Sequence, residues 1–204
     1  MLSPRPGPMT YEEYLSWEAE QDELWELVDG HPVRRSDRWE RDPVTGMAGT
    51  TIAHNLIVAN LLRHLGNRLA GTPCRPMASH LKHRSVSKTA RYPDASIDCG
   101  QAGMSALEAA EPRVIFEVIS ASNTMAQQML LLADYQAIAS VRHIAFIEQT
   151  RPSVVLWTRN VDGWRAVEVS GLDADLDLSA VSVRLPLAEL YEGVTFETPA
   201  AAHG

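Results

Sequence analysis

Two acidic residues, Asp94 and Glu117, offer the clearest chemistry in the sequence, because each lies in or beside a predicted β-strand. Glu117 falls within Arg113–Ser120 (RVIFEVIS), a β-branched and apolar run typical of a strand buried on both faces. A carboxylate is seldom left inside such a strand without a partner or a metal ion. Asp94 follows Pro93 and precedes a second β-prone segment. If the two strands are neighbours, the two carboxylates lie close together.

Two neighbouring carboxylates repel, so they either share a proton or hold a cation. Mg²⁺ and Mn²⁺ suit oxygen ligands, and Mg²⁺ commonly binds one or two carboxylates together with water and substrate phosphate. Such an ion lowers the pKa of a bound water and neutralises charge on a phosphodiester under attack. The alternative is a structural ion pair between Glu117 and a buried arginine such as Arg91 or Arg113. The residues alone leave both interpretations open.

The elements that must position these residues indicate a mixed α+β fold. Thr10 and Glu13 form a capping box that begins a short helix. In the longest predicted helix, Thr51–Leu69, an apolar stripe at helical spacing predicts the core face. That stripe is Ile52, Leu56, Ala59, Leu62 and Leu65, widened by Ile57, Leu61 and Leu69. The other predicted elements are a hairpin that turns at Asp29-Gly30, a helix over Met125–Ile138, and strands over Ser79–Val86, Ala95–Asp98, Arg142–Ile147, Val154–Thr158, Trp164–Glu168 and Val181–Leu185.

Length and composition predict one domain with an ordinary core. The chain has 204 residues and 45% hydrophobic residues, and single cores usually stop growing near ~250–300 residues. We expect a flexible N-terminal tail over 1–9, one domain over 10–192 and a C-terminal tail over 193–204. No segment reaches the ~18–20 apolar residues of a membrane span. Cys74 and Cys99 match no metal spacing, which predicts two free thiols in a reducing cytoplasm, with a disulfide between them as the alternative.

A formal charge of −8 argues against a broad nucleic-acid-binding surface. The charges are unevenly distributed, because residues 75–91 contain five cations and no acid. This strip is either an ordinary solvated surface or a local phosphate contact on an acidic protein. Its five cations are Arg75, Lys82, Arg84, Lys88 and Arg91.

Several short motifs, taken in order, resemble those of the Uma-two family of restriction-endonuclease-like proteins in the PD-(D/E)xK superfamily. The motifs are Trp25–Gly30 (WELVDG), His54 at the start of a helix, Tyr92-Pro93-Asp94, Phe116–Ser120 (FEVIS) and Tyr135. The resemblance implies a central mixed sheet flanked by helices and metal-dependent hydrolysis of DNA phosphodiesters. It implies Asp94 and Glu117 as catalytic ligands of Mg²⁺ or Mn²⁺ and Glu26 as an auxiliary acid. It also implies a catalytic role for His54, for which the alternative is packing at the start of the helix.

The sequence departs from this family at the catalytic lysine. The superfamily lysine would follow Glu117 by two residues, where this chain has Ile119. Family members carry a displaced aspartate and lysine on the next helix, at positions where this chain has Gln127 and Leu131. Leucine cannot supply the charge that a lysine gives to the reaction. Lys82 or Lys88 could replace it from a neighbouring segment.

Three functions therefore compete. The chain is a metal-dependent DNA endonuclease, a degenerate nuclease fold that binds a nucleic acid or protein, or an assembly domain whose carboxylates are structural. The resemblance also implies a homodimer, in which Trp157 and Trp164 either cover the interface or pack in the core. The polar segment 36–49 is long enough to be a functional loop beside the site.

Overall fold

The computed structural model describes residues 7–35, 50–86, 88–120 and 123–196. The predicted loop 36–49 lies outside the described residues, as do most of the two predicted tails. In the described ranges, no helix combines the length and the apolar character needed to cross a membrane.

A small four-stranded sheet, in the order β2-β1-β5-β4, is built around the predicted hairpin. Helix α1 (Tyr11–Glu18) precedes it and begins at the predicted Thr10–Glu13 capping box. The hairpin turns at Asp29 and Gly30, whose φ angles are 48° and 82°, as a two-residue turn with two left-handed positions requires. The strands are β1 (Trp25–Val28), β2 (His31–Arg34), β4 (His83–Arg84) and β5 (Ala90–Arg91).

The main sheet has six strands in the order β10-β9-β8-β7-β6-β3. Strands β7 and β8 pair in parallel, and every other pair in this sheet is antiparallel. This mixed sheet with flanking helices confirms the predicted fold class. The strands are β3 (Arg75–Ala78), β6 (Ala95–Asp98), β7 (Pro112–Ile119), β8 (His143–Glu148), β9 (Ser153–Asn160) and β10 (Gly163–Ser170).

The six-stranded sheet is covered on both faces, which explains the nearly continuous apolar sequence of β7. Val114, Phe116 and Val118 pack in the cluster that contains the buried face of α2 (Ile52–Leu69). Ile115 and Ile119 pack on the other face, in the cluster that contains α3 (Met125–Gln136). The α2 side is completed by β11 (Asp175–Leu178), β12 (Val183–Pro186) and α4 (Leu187–Leu190).

The predicted core stripe of α2 is wrong by part of a turn. Ile52 is 81% exposed, and Leu56 and Leu62 are only half-buried. The buried apolar residues of α2 follow a four-residue spacing: Leu65 was in the predicted stripe, and the other three were expected only to widen it. They are Ile57, Leu61, Leu65 and Leu69. The buried face also includes His54 and Asn60, whose polarity disguised it in the sequence.

The prediction of two free thiols is also wrong, because Cys74 and Cys99 form a disulfide. Strand β3, which the sequence did not predict, pairs Arg75 with Asp98 in β6. The next positions outward in this antiparallel register are Cys74 and Cys99, and their Cα atoms are 3.9 Å apart. The missed strand therefore hid the pairing, and the argument for a reducing compartment loses its basis.

Candidate functional site

Asp94 and Glu117 lie at the same end of the β6–β7 pair. Ala95 pairs with Phe116 in the antiparallel register, so the adjoining positions, Asp94 and Glu117, stand opposite each other. A backbone contact fixes this arrangement, because Val118 N–H donates to Asp94 Oδ2 over 2.9 Å. Both carboxylates are buried. The two strands thus bring the two predicted site residues together.

Asp94 is surrounded by donors from three parts of the chain. Besides the β7 backbone, His54 Nε2 lies 3.2 Å from Asp94 Oδ2, and Arg35 Nη2 lies 3.3 Å from Asp94 Oδ1. His54 is in the first turn of α2, whose N-cap Thr51 accepts from the His54 N–H. The first turn of α2 therefore lies beside Asp94.

Glu117 is held from the opposite side of the sheet. The Tyr135 hydroxyl of α3 donates to Glu117 Oε1, and both side chains are buried. This contact explains why Tyr135 belongs with the other motifs, because a buried phenol needs a partner. The alternative partners that the sequence offered are engaged elsewhere: Arg113 contacts Glu111, and Arg91 contacts Glu26.

Glu26 braces the segment that leads to Asp94. Its Oε1 accepts from the Tyr92 N–H over 3.1 Å, and Arg91 Nη1 donates to its Oε2 over 2.9 Å. Arg91 also donates to Asp134 Oδ2 over 2.6 Å through Nη2. One guanidinium therefore ties the hairpin, β5 and α3 together immediately before Tyr92-Pro93-Asp94.

A glutamine links the start of α2 to the end of β7. Thr51 Oγ1 donates to Gln149 Oε1 over 2.5 Å, and Gln149 Nε2 donates to Ile119 O over 3.1 Å. This pair fixes α2 to the strand that carries Glu117, so it also fixes the position of His54. Nothing in the sequence pointed to Gln149, because the link depends on the long-range packing of α2.

A cavity of about 290 Å³ opens beside Asp94. Arg35, His54, Asp94, Ser79 and His80 are among the residues that line it. A larger cavity of about 540 Å³ lies beyond His80, between α1 and Tyr92. Its polar centre is the buried ion pair of Lys82 and Glu18, 2.6 Å apart, which the Tyr14 and Tyr92 hydroxyls also join. We therefore place the candidate site at the smaller cavity.

The position of the family lysine is part of the core. Leu131 is 4% exposed and packs in the cluster that contains Ile115 and Ile119, the β7 residues on the same face as Glu117. Gln127, at the position of the family aspartate, completes the capping box of α3 with Thr124. Gln128 donates to Asn123 O over 3.3 Å. These side chains serve packing and capping.

The predicted strip of five cations does not form one surface. Lys82 is 5% and Arg91 6% exposed, and each is paired with carboxylates. The prediction of phosphate contacts is therefore wrong for these two residues, and Lys82 is not positioned to replace the family lysine. Arg75, Arg84 and Lys88 are exposed.

The sequence reasoning missed two residues of the candidate site, Arg35 and His80. Arg35 directly follows β2, and only the packing of the hairpin brings it to Asp94. His80 has a φ of 86°, a conformation that residues other than glycine rarely adopt. Within the described residues, no group of three or more His, Cys, Asp and Glu side chains is arranged as a metal site.

Comparison with known proteins agrees with this architecture. A crystal structure of a putative nuclease belonging to DUF820 from Anabaena variabilis superimposes with a TM-score of 0.67 at 13% sequence identity, covering 90% of this chain and 98% of that one. The uncharacterized protein slr1290 of Synechocystis is 25% identical over 189 residues, which are 91% of this chain and 92% of the relative. The model of the Uma2 family, described as "Putative restriction endonuclease", matches residues 11–188. Because that match spans most of the sequence, the chain belongs to the Uma2 family.

Proposed function

We propose that this protein is a divalent-metal-dependent endonuclease that hydrolyses DNA phosphodiester bonds. The observation that carries the proposal is that Asp94, directly before β6, and Glu117, on β7, are both buried at the same end of this strand pair. Burying a carboxylate is unfavourable unless a proton, a cation or hydrogen-bond donors compensate for its charge. Membership of the Uma2 family supports the same assignment.

The residues at the β6–β7 end fit a Mg²⁺ or Mn²⁺ ion. Asp94 and Glu117 offer hard oxygen ligands, and Mg²⁺ sites commonly use one or two carboxylates, with water and substrate phosphate completing the coordination. A cluster of three protein ligands is therefore not required. When bound, such an ion would lower the pKa of a water molecule and neutralise charge on the phosphate.

The other residues act by holding this pair in place. His54 and the Val118 N–H orient Asp94, and Tyr135 orients Glu117. Glu26 fixes the backbone at Tyr92, two residues before Asp94. We assign Glu26 a positioning role, because its described contacts are with Arg91 and Tyr92.

The first test is cleavage of plasmid and single-stranded DNA by the purified protein in Mn²⁺ or Mg²⁺. Asp94→Asn and Glu117→Gln keep the shape of each side chain and remove its charge, so we expect each to reduce cleavage about 100-fold or more. Asp175→Asn is the matched control, because Asp175 is exposed on β11. Cleavage that persists unchanged in both site variants would refute the proposal.

A second candidate function is a nuclease fold that binds DNA without cutting it. The observation in its favour is Leu131, which places an apolar side chain at the position of the family lysine. Calorimetry with Mn²⁺ separates the candidates: metal binding without cleavage in the parent protein would favour the binding module. The absence of both would favour an assembly domain.

The partner assignments follow from the same proposal. DNA is the expected substrate, with Arg75, Arg84 and Lys88 as its exposed cationic contacts. The homodimer stays a prediction. Trp157 and Trp164 are half-buried and pack against the α3-side cluster, so part of each ring is used within one protomer.

A further inference from the structure

The cavity beside Asp94 is lined mainly by groups that can donate hydrogen bonds. Among the described residues that line it, Asp94 is the single carboxylate, whereas Arg35 brings a guanidinium and His54 and His80 bring imidazole rings. Thr50, Asn55 and Ser79 contribute hydroxyl and amide groups. A wall of this chemistry suits an anion with several oxygen atoms, such as a phosphate.

Arg35 is the strongest anion-binding group in this wall, because its guanidinium is only partly used. Its Nη2 contacts Asp94 Oδ1 at 3.3 Å, and its side chain is 16% exposed. The Arg35 Nε is buried and has no hydrogen-bond partner among the described residues. A buried donor without a partner costs stability, and an anion in the cavity would satisfy it.

The start of α2 supports the same reading. Thr50 and Asn55, on either side of the N-cap Thr51, line this cavity. The helix has 18 residues, and its dipole places partial positive charge at this end. His80 also lines this cavity, and it has an unusual backbone conformation with a φ of 86°. Residues held in such conformations concentrate at functional sites.

We propose that this cavity binds a backbone phosphate of the nucleic acid and that Arg35 is its principal ligand. Arg35 thereby supplies, from the end of the hairpin, the positive charge that Leu131 cannot supply from α3. Arg35 contacts Asp94 at 3.3 Å. A divalent cation held by Asp94 would repel the guanidinium, which would then be available to bind a phosphate. The inference rests on the proposed metal-dependent function.

The proposal predicts opposite effects of one substitution on two ligands. Arg35→Gln removes a cation that competes for Asp94, so the affinity for Mn²⁺, measured by calorimetry, should rise about fivefold. The same change removes a charged phosphate ligand, so the affinity for a short DNA duplex in Ca²⁺, measured by fluorescence anisotropy, should fall about tenfold or more. A purely structural role would lower both affinities together.

Two further variants sharpen the test. Arg34→Gln is the matched control, because Arg34 contacts Glu23 and the Trp25 ring instead of Asp94; both affinities should stay at the parent values. Arg35→Lys keeps the charge, so its Mn²⁺ affinity should stay close to the parent value, and its DNA affinity should lie between those of the parent and Arg35→Gln.

The outcomes separate this inference from the proposed function. If the parent protein binds Mn²⁺ and Arg35→Gln matches it for both ligands, the phosphate role of Arg35 is overturned while the metal site stands. If Arg35→Gln weakens both ligands and Arg35→Lys does the same, the role is structural and the inference also fails. If the parent protein binds no Mn²⁺, the proposed function fails, and the inference fails with it.

Discussion

At the residue scale, the side chain at position 131 stabilises the core but cannot supply a positive charge for catalysis. Leu131 packs with Ile115 and Ile119, which flank Glu117 on the same face of β7. The same place on the buried face of α3 would direct a lysine side chain toward Glu117. Leu131 therefore stabilises the core. The positive charge that the family lysine would supply must come from another residue, and we propose Arg35.

Leu131→Lys tests this division directly. We expect cleavage in Mn²⁺ to rise about tenfold or more, because a positioned cation stabilises developing negative charge. We also expect the free energy of unfolding to fall by about 3 kcal/mol, because the new ammonium is placed in an apolar cluster. Gel-based cleavage and urea unfolding measure the two effects. Leu131→Met is the neutral control of similar length. Equal cleavage by both variants would contradict the assignment of position 131 as the place where the family lysine acts.

At the element scale, the sequence predicted elements that have a clear residue pattern. It did not predict elements that are short or whose buried face depends on packing against neighbouring elements. The β-branched run of β7 predicted a strand buried on both faces, and the Asp29-Gly30 turn predicted the hairpin. Strand β3 (RPMA) was missed, because it is short, lies at the sheet edge and contains a proline. The face of α2 was misjudged because His54 and Asn60 are buried with its apolar row.

The candidate site divides in the same way. Asp94 and Glu117 could be found from the sequence, because a carboxylate in an apolar strand is unusual wherever the strand packs. Arg35 could not be found, because its contact with Asp94 joins positions 59 residues apart. Such a contact depends on how the hairpin packs against the main sheet, which the sequence pattern does not specify.

The disulfide at the edge strand makes a second prediction. Cys74 and Cys99 are separated by 25 residues, and opening a loop of this size should lower the free energy of unfolding by about 3 kcal/mol. Chemical denaturation of the double variant Cys74→Ser/Cys99→Ser, compared with the oxidised parent, measures this effect. A reduced parent should match the double variant. An unchanged denaturation midpoint after reduction would mean that β3 is held by its other contacts.

At the scale of the whole molecule, buried histidines make folding sensitive to acid. Burial lowers the pKa of His83 from 6.5 to about 4, against the opposing influence of its hydrogen bond to Leu81 O and of Asp98. Burial also lowers the pKa of His143. Between pH 6.5 and about pH 4, His83 binds a proton in the unfolded chain but not in the folded protein, so acid favours unfolding.

The free energy of unfolding should therefore fall as the pH decreases through about 6.5 toward 4, by about 3 kcal/mol from His83 alone. Urea unfolding at several pH values measures this dependence. His83→Asn retains a donor near Nδ1 and removes the titration, so its stability should change less with pH. His31→Asn, at an exposed position, is the control and should follow the parent. If His83→Asn kept the pH dependence of the parent protein, His83 would not be its source.

The guanidinium of Arg91 has a consequence for how the protein folds. It joins Glu26 and Asp134 across sequence separations of 65 and 43 residues. Contacts of this range require large loops to close before any interaction energy is gained, and such topologies fold slowly. A nascent chain must therefore extend past Asp134 of α3 before Arg91 can join all three elements. The late assembly of the site ties any nuclease activity to completed synthesis of the domain.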